Sequence, residues 1–289
     1  MSYLQSVIMG LLQGVSELFP VSSLGHSVVI PKLFGWNSLV AAQSHSESFF
    51  LAFLVGLHVA TALALLVFFR RQWVRIVAGV LRSIRNRRIE TADERLGWLL
   101  VVATIPAGLT GLIFEHLFRT VFAKPLAASA FLVVNGGILL AGERLRRSAP
   151  QGASASSRSR QLDNLDFKEA GVIGTAQILA LLAGISRSGI TMVAGLVRGL
   201  DHEDSARFSF LLATPIILAA GIYKLPDLTG PLGNGVRGQI LAGSVAAAVA
   251  AYLSVRFLVR WFQTRTLTPF AIYCLAMGAS LVVLFATTS

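Results

Sequence analysis

Cysteine is nearly missing. Cys274 stands alone among 289 residues, which excludes an internal disulfide and any metal site built from thiolates. Charge is scarce as well: 13% of residues are charged and 54% are hydrophobic, a balance that excludes an ordinary soluble domain. No Lys or Arg precedes Lys32, so the amino-terminal segment lacks the basic region of a cleaved signal peptide and is expected to stay in the mature protein. The alternation of apolar and polar residues that marks the strands of an outer-membrane barrel is also absent.

What is present is apolar sequence in runs of helical length, at 49–69, 96–118, 125–142, 208–225, 239–258 and 268–287. Each can cross about 30 Å of hydrocarbon as a helix. The expected fold is therefore an all-α integral membrane protein. A net charge of +11 could indicate nucleic acid, but the basic residues stand between the apolar runs and form no basic domain, so no nucleic-acid partner is expected. Arg70, Arg71, Arg75, Arg82, Arg85, Arg87, Arg88 and Arg95 crowd one connection. Arg144, Arg146, Arg147, Arg158, Arg160 and Lys168 crowd another, and Arg256, Arg260 and Arg265 a third. These read as cytoplasmic loops, which puts both termini outside. The Ser-, Ala- and Gly-rich segment 148–161 reads as a flexible linker.

Two interrupted apolar stretches remain, 3–34 and 170–200, each broken in the middle by Gly, Ser or Pro. Both read as re-entrant hairpins that dip into the membrane and return to the same side. Gln13, Ser22 and Gly25 recur 164 residues later as Gln177, Ser186 and Gly189. The chain then divides into a first half at 1–147, a cytoplasmic linker at 148–168 and a second half at 169–289. Each half is one re-entrant hairpin followed by three spans, and the two are related by inverted topology.

In the first hairpin, "SELFPVSSLGH" packs Glu17, Ser22, Ser23 and His26 around Pro20. Pro20 ends one half-helix and Ser22 or Ser23 caps the next, while Ser186 and Ser188 do the same in the second hairpin. Two helix N-termini converging inside the membrane, with Arg187 in one of them, make an anion site, and phosphate is the obvious anion. Glu17 and Arg187 are charges that the bilayer penalises by about 2.5–3.5 kcal/mol each, which favours function over packing. Gln13 and Glu17 share one helix face, Ser23 and His26 another. Ser22, Ser186 and Ser188 serve equally well as plain caps. His58 and Asn135, isolated within spans, read as hydrogen-bonded packing residues. His45, Glu47 and the acidic run at 201–204 read as solvated loop.

At these residues the chain resembles the undecaprenyl-diphosphatases, also called bacitracin-resistance proteins. Gln13 to Glu17 followed by "PVSSLGH", and "AGISRSGIT" at 183–191, are similar to that family's two motifs, as are "LHVATALA" and "ARFSFLLATP". Ala183 stands where the family usually has Pro, and Gln13 is the uncharged option at its position. The resemblance implies a membrane phosphatase that converts undecaprenyl diphosphate to undecaprenyl phosphate and inorganic phosphate, recycling the carrier for peptidoglycan synthesis. It places the protein in the bacterial cytoplasmic membrane with its site opening to the periplasmic side.

On this reading Ser23, His26, Glu17 and Arg187 are catalytic, and Ser22, Ser186, Arg187, Ser188, Gly189 and Thr191 bind phosphate. Ser23 is the favoured nucleophile, with His26 or Glu17 taking its proton; direct attack by His26, or water activated by it, stays open. Glu17 with Gln13 could hold a divalent cation, Mg²⁺ or Ca²⁺, or orient His26. No organic cofactor is expected, and a homodimer is compatible with the sequence. A second reading is a carrier that flips the polyprenyl phosphate across the membrane, instead of hydrolysis or alongside it.

Overall fold

The structure, a computed structural model, describes residues 1–36, 38–40, 49–121, 124–147, 162–223 and 235–287. Its elements are helices: α1 Tyr3–Ser16, α2 Ser23–Leu33, α3 Phe49–Phe68, α4 Arg70–Asn86, α5 Ala92–Val121, α6 Pro125–Arg147, α7 Phe167–Ala176, α8 Arg187–Val197, α9 His202–Tyr223, α10 Arg237–Trp261 and α11 Thr268–Thr287. A 3₁₀ turn over Gln177–Leu181 extends α7 toward α8. Five of them (α5 as far as Phe114, α6, α9, α10 and α11) are long and apolar enough to cross a membrane. A sixth candidate, α3, runs into α4 through an 89° bend. The protein is a multi-pass membrane protein.

Both interrupted stretches are helix, break, helix. α1 and α7 begin with the same reciprocal cap: Ser2 with Gln5, and Asp166 with Glu169, each exchange two side-chain-to-backbone bonds of 2.7–3.1 Å. Those residues are again 164 apart, and the same step carries α2 onto α8 end for end. It also relates two close approaches. Gly10 of α1 leaves no room for a Cβ against the Gly243 carbonyl of α10, and Gly174 of α7 leaves none against the Ala103 carbonyl of α5. Helices in lipid gain nothing from burying apolar surface against one another, so backbone contact at small residues carries much of their association.

Several boundaries differ from the sequence reading. The connection at 70–95 is largely the helix α4, because its apolar residues recur at helical spacing among the arginines that marked it as a loop. Residues 202–204 open α9 and are not solvated loop. His202 is buried with Nε2 2.7 Å from Glu143 Oε1, an oxygen that also accepts the Leu267 N–H at 2.7 Å. Asp204 accepts from the Leu162 N–H at 2.9 Å. α6 continues to Arg147, past 142, and α7 starts at Phe167, inside the proposed linker. The linker segment 148–161, His45, Glu47 and residues 224–225 lie outside the described residues.

The largest cluster of buried apolar side chains includes Leu18 and Val21 of the first break, Leu65 of α3, Leu132 and Leu139 of α6, Met192 of α8, Phe210 of α9 and Val255 of α10. Packing from so many helices holds the first break, which has little regular structure of its own, in a fixed position, and Ala183 of the second break is buried in a separate apolar cluster with Val28 and Val29 of α2 and Ala128 of α6.

Candidate active site

The two breaks meet each other. Ser22, at φ +68°, takes a left-handed backbone conformation unusual for a residue with a side chain, and that turns its hydroxyl back toward the chain. Its Oγ accepts from the Gly25 N–H at 3.2 Å, capping α2, and from the Gly184 N–H of the other break at 3.1 Å. Ser186 repeats the cap on α8, accepting from the Gly189 N–H at 3.2 Å. A Cβ on Gly25 would stand 3.0 Å from the Gly184 backbone, and one on Gly189 would stand 3.3 Å from Pro20. The N-termini of α2 and α8, with their partial positive charge, are thereby drawn to one place.

Asn135 of α6, fully buried, fastens them. Its Nδ2 donates to the Pro20 carbonyl at 3.0 Å and its Oδ1 accepts from the Ser186 N–H at 2.9 Å. The expectation of a hydrogen-bonded residue holds for Asn135, but what it bonds to are the two breaks of the site.

Glu17 is the hub. Its Oε2 accepts from Ser23 Oγ at 2.5 Å and from Gln13 Nε2 at 3.1 Å, and lies 3.5 Å from His58 Nε2. Its Oε1 takes Arg187 Nη2 at 3.3 Å and Nε at 3.4 Å, and Arg187 Nη1 donates to the Ser209 carbonyl at 3.2 Å. Both members of this ion pair are largely buried. Such a pair is tolerated only because further bonds satisfy it, as here.

These groups line one end of a cavity of about 340 Å³, with Ser22, Ser23, His58, Ser186 and Arg187 around Glu17. Its remaining wall is apolar, built by Leu54 and Val55 of α3, Ala180 and Ile185 of the second hairpin, and Ile216, Ile217 and Ala220 of α9. A polar end holding Arg187 and two helix N-termini, beside an apolar trough, suits an amphiphile with an anionic head.

Three residues singled out from sequence point elsewhere. His26 is buried but does not line the cavity: its Nε2 is 2.8 Å from the Tyr273 hydroxyl, its Nδ1 2.7 Å from the Ser22 carbonyl, and its ring stacks on Tyr273. Ser188 Oγ lies 3.0 Å from Ser186 Oγ and donates to the Phe19 carbonyl at 3.3 Å, while Thr191 Oγ1 lies 2.6 Å from Ser209 Oγ. One residue read as packing stands in the cavity wall instead, His58. Its signal was available: an ionisable imidazole is rare in an otherwise apolar span and marks a candidate functional residue, as the carboxylate of Glu17 does.

Glu17 and Gln13, the pair read as a possible cation site, are hydrogen-bonded to each other. Among the described residues Glu17 is the single carboxylate lining the cavity, and Arg187, Ser23 and Gln13 all donate to it. Among the described residues no three His, Cys, Asp or Glu gather in a metal-holding group. As it stands, this donor set makes an internal ion pair in which Glu17 accepts from its neighbours.

Fold and site together define a multi-pass membrane protein in which a serine, a carboxylate and an arginine are buried side by side. The chain belongs to the family described as bacitracin resistance protein BacA, whose model matches residues 6–280. It is 60% identical to the undecaprenyl-diphosphatase of Mycolicibacterium paratuberculosis, covering 98% of this chain and 97% of that protein. It is 56% identical to undecaprenyl-diphosphatase 2 of Frankia alni, covering 99% and 98%, and 44% identical to undecaprenyl-diphosphatase 2 of Chromobacterium violaceum, covering 96% and 97%.

Proposed function

We infer that this protein is an undecaprenyl-diphosphatase of the bacterial cytoplasmic membrane, releasing inorganic phosphate from undecaprenyl diphosphate, returning the carrier to peptidoglycan synthesis and conferring resistance to bacitracin. The observation that carries the chemistry is Ser23 Oγ held 2.5 Å from Glu17 at the point where Arg187 and two helix N-termini converge. Phosphoryl transfer asks chiefly for positioning and neutralisation of charge, and those groups supply both.

Ser23 is the nucleophile on this reading. Its oxygen attacks the terminal phosphorus, the bond to the bridging oxygen breaks, and undecaprenyl phosphate departs with that electron pair. The hydroxyl proton moves to Glu17. Next to it, the Nδ1–H of His58 donates to the Leu54 carbonyl at 2.8 Å, which leaves Nε2, 3.5 Å from Glu17 Oε2, as the ring nitrogen that can exchange a proton with that carboxylate. Water then opens the phosphoserine. Arg187 and the N-termini at Ser22, Ser23 and Ser186 bind the phosphate oxygens. His26, bonded at both ring nitrogens away from the cavity, steadies the α2 cap and attacks nothing. No step is routed through a metal.

The shared step of 164 residues in caps, helix ends and close approaches supports an internal repeat, while the arginine-rich connections, taken as cytoplasmic, are what favour inverted halves, both termini outside and a site reached from the outer side. All the site groups come from one chain, so the chemistry needs no second subunit. A pure carrier would use Arg187 and the helix ends but has no need of a serine hydrogen-bonded to a buried carboxylate, which is why hydrolysis is preferred. Phosphate release from undecaprenyl diphosphate by the purified protein tests the reading: no release by folded wild type, with lipid still bound, makes the carrier the better account.

A further inference from the structure

α4 has three faces. Gln72, Ile76, Gly79 and Ser83 are buried, with Ile76 among Leu96, Leu99 and Leu100 of α5, and the Ser83 hydroxyl accepting from Trp98 Nε1 at 2.8 Å. A second stripe, Val74, Val77, Leu81 and Ile84, recurs at helical spacing and is apolar, with each residue more than half exposed. A third carries Arg71, Arg75, Arg82 and Arg85, continued past the helix end by Arg87 and Arg88. α4 has no acidic residue of its own. Arg75 reaches Asp93 at 3.2 Å and Arg82 stands 3.8 Å from Glu94, whereas Arg71, Arg85, Arg87 and Arg88 have no carboxylate partner among the described residues.

The orientation gives these faces meaning. α4 leaves the apolar helix α3 at 89°, so if α3 runs roughly along the membrane normal, α4 lies in the plane of the membrane surface. One face then rests on α5, the apolar stripe can dip into the acyl boundary, and the arginines run alongside it at headgroup depth. We propose that α4 is an interfacial helix whose arginine face binds the phosphate headgroups of anionic phospholipids in the adjoining leaflet. Uncompensated arginines beside an exposed apolar stripe match a surface that is anionic above and apolar below. A second protein would have to cover both the stripe and the charges.

The test uses the full chain reconstituted in nanodiscs of phosphatidylcholine with or without phosphatidylglycerol. The variant Arg71→Gln/Arg85→Gln/Arg88→Gln changes exposed side chains without carboxylate partners and is expected to fold and release phosphate in detergent as wild type does. Wild type should retain phosphatidylglycerol selectively through purification, and the variant should lose about tenfold in that selectivity. A fluorophore on Val77→Cys or Leu81→Cys should be quenched by lipids brominated on their acyl chains. Equal retention of the two lipids by wild type, selectivity unchanged in the variant, or Val77→Cys crosslinking between copies in place of lipid quenching would each overturn the proposal.

Discussion

Ser23 Oγ and Arg187 Nη2 approach the same carboxylate from opposite sides, Ser23 at 2.5 Å from Glu17 Oε2 and Arg187 at 3.3 Å from Glu17 Oε1. Nucleophile, proton acceptor and anion-binding cation are thus fixed relative to one another by a single side chain. The bonds are made before substrate arrives.

Ser23→Ala should lower phosphate release about 10³-fold or more while leaving the fold intact, because the cap on α2 is made by Ser22. The check is a comparison of turnover with thermal stability in detergent. A rapid acid quench with labelled substrate should trap a phosphoserine in wild type and none in the variant.

Arg187→Ala leaves Glu17 buried without its cation. Breaking such a pair costs about 3–5 kcal/mol, so the variant should melt earlier as well as lose activity. Adding Glu17→Gln should recover part of the stability and none of the activity. Arg187→Lys keeps the charge but not the fork that reaches both Glu17 and the Ser209 carbonyl, and should remain strongly impaired.

The two histidines should separate in opposite ways. His58→Gln is expected to reduce kcat about 10²-fold with little change in stability, and to flatten the acid limb of the pH profile. His26→Ala is expected to act chiefly on stability, with Tyr273→Phe reproducing part of its effect, since the pair stack and share a 2.8 Å bond. An acid limb lost with His26 and kept without His58 would reverse the two assignments.

Asn135→Leu removes the side chain that joins the Pro20 carbonyl to the Ser186 N–H, leaving both buried groups without that partner. A loss of about 2 kcal/mol or more is expected, with a raised KM as the two caps drift apart. Ser22→Ala should cost about 1 kcal/mol for the cap, and more if the bond to Gly184 is not replaced by water.

The sequence by itself determined the membrane class, the helical content, the two broken hairpins and the cluster around Glu17, Ser23 and Arg187. These follow from local physics: hydrocarbon demands apolar helices, Pro20 and Gly184 break them, serine caps them, and an intramembrane charge stands out by its cost. Even the step of 164 residues is visible in Gln13 and Gln177. Tertiary structure alone decided which polar groups face one another. His26 follows Ser23 by three residues yet turns to Tyr273, because the stacking ring and the Ser22 carbonyl satisfy both its nitrogens on the far side of α2. His58, remote in sequence, comes to Glu17 because α3 packs beside the first hairpin. The arginines of α4 looked like a loop because charge is counted along the chain, whereas the 89° bend that lays them along one helix is set by packing on α5. Residues near in sequence share a face only where the helix geometry and the neighbouring helices allow it, and those neighbours are supplied by the fold.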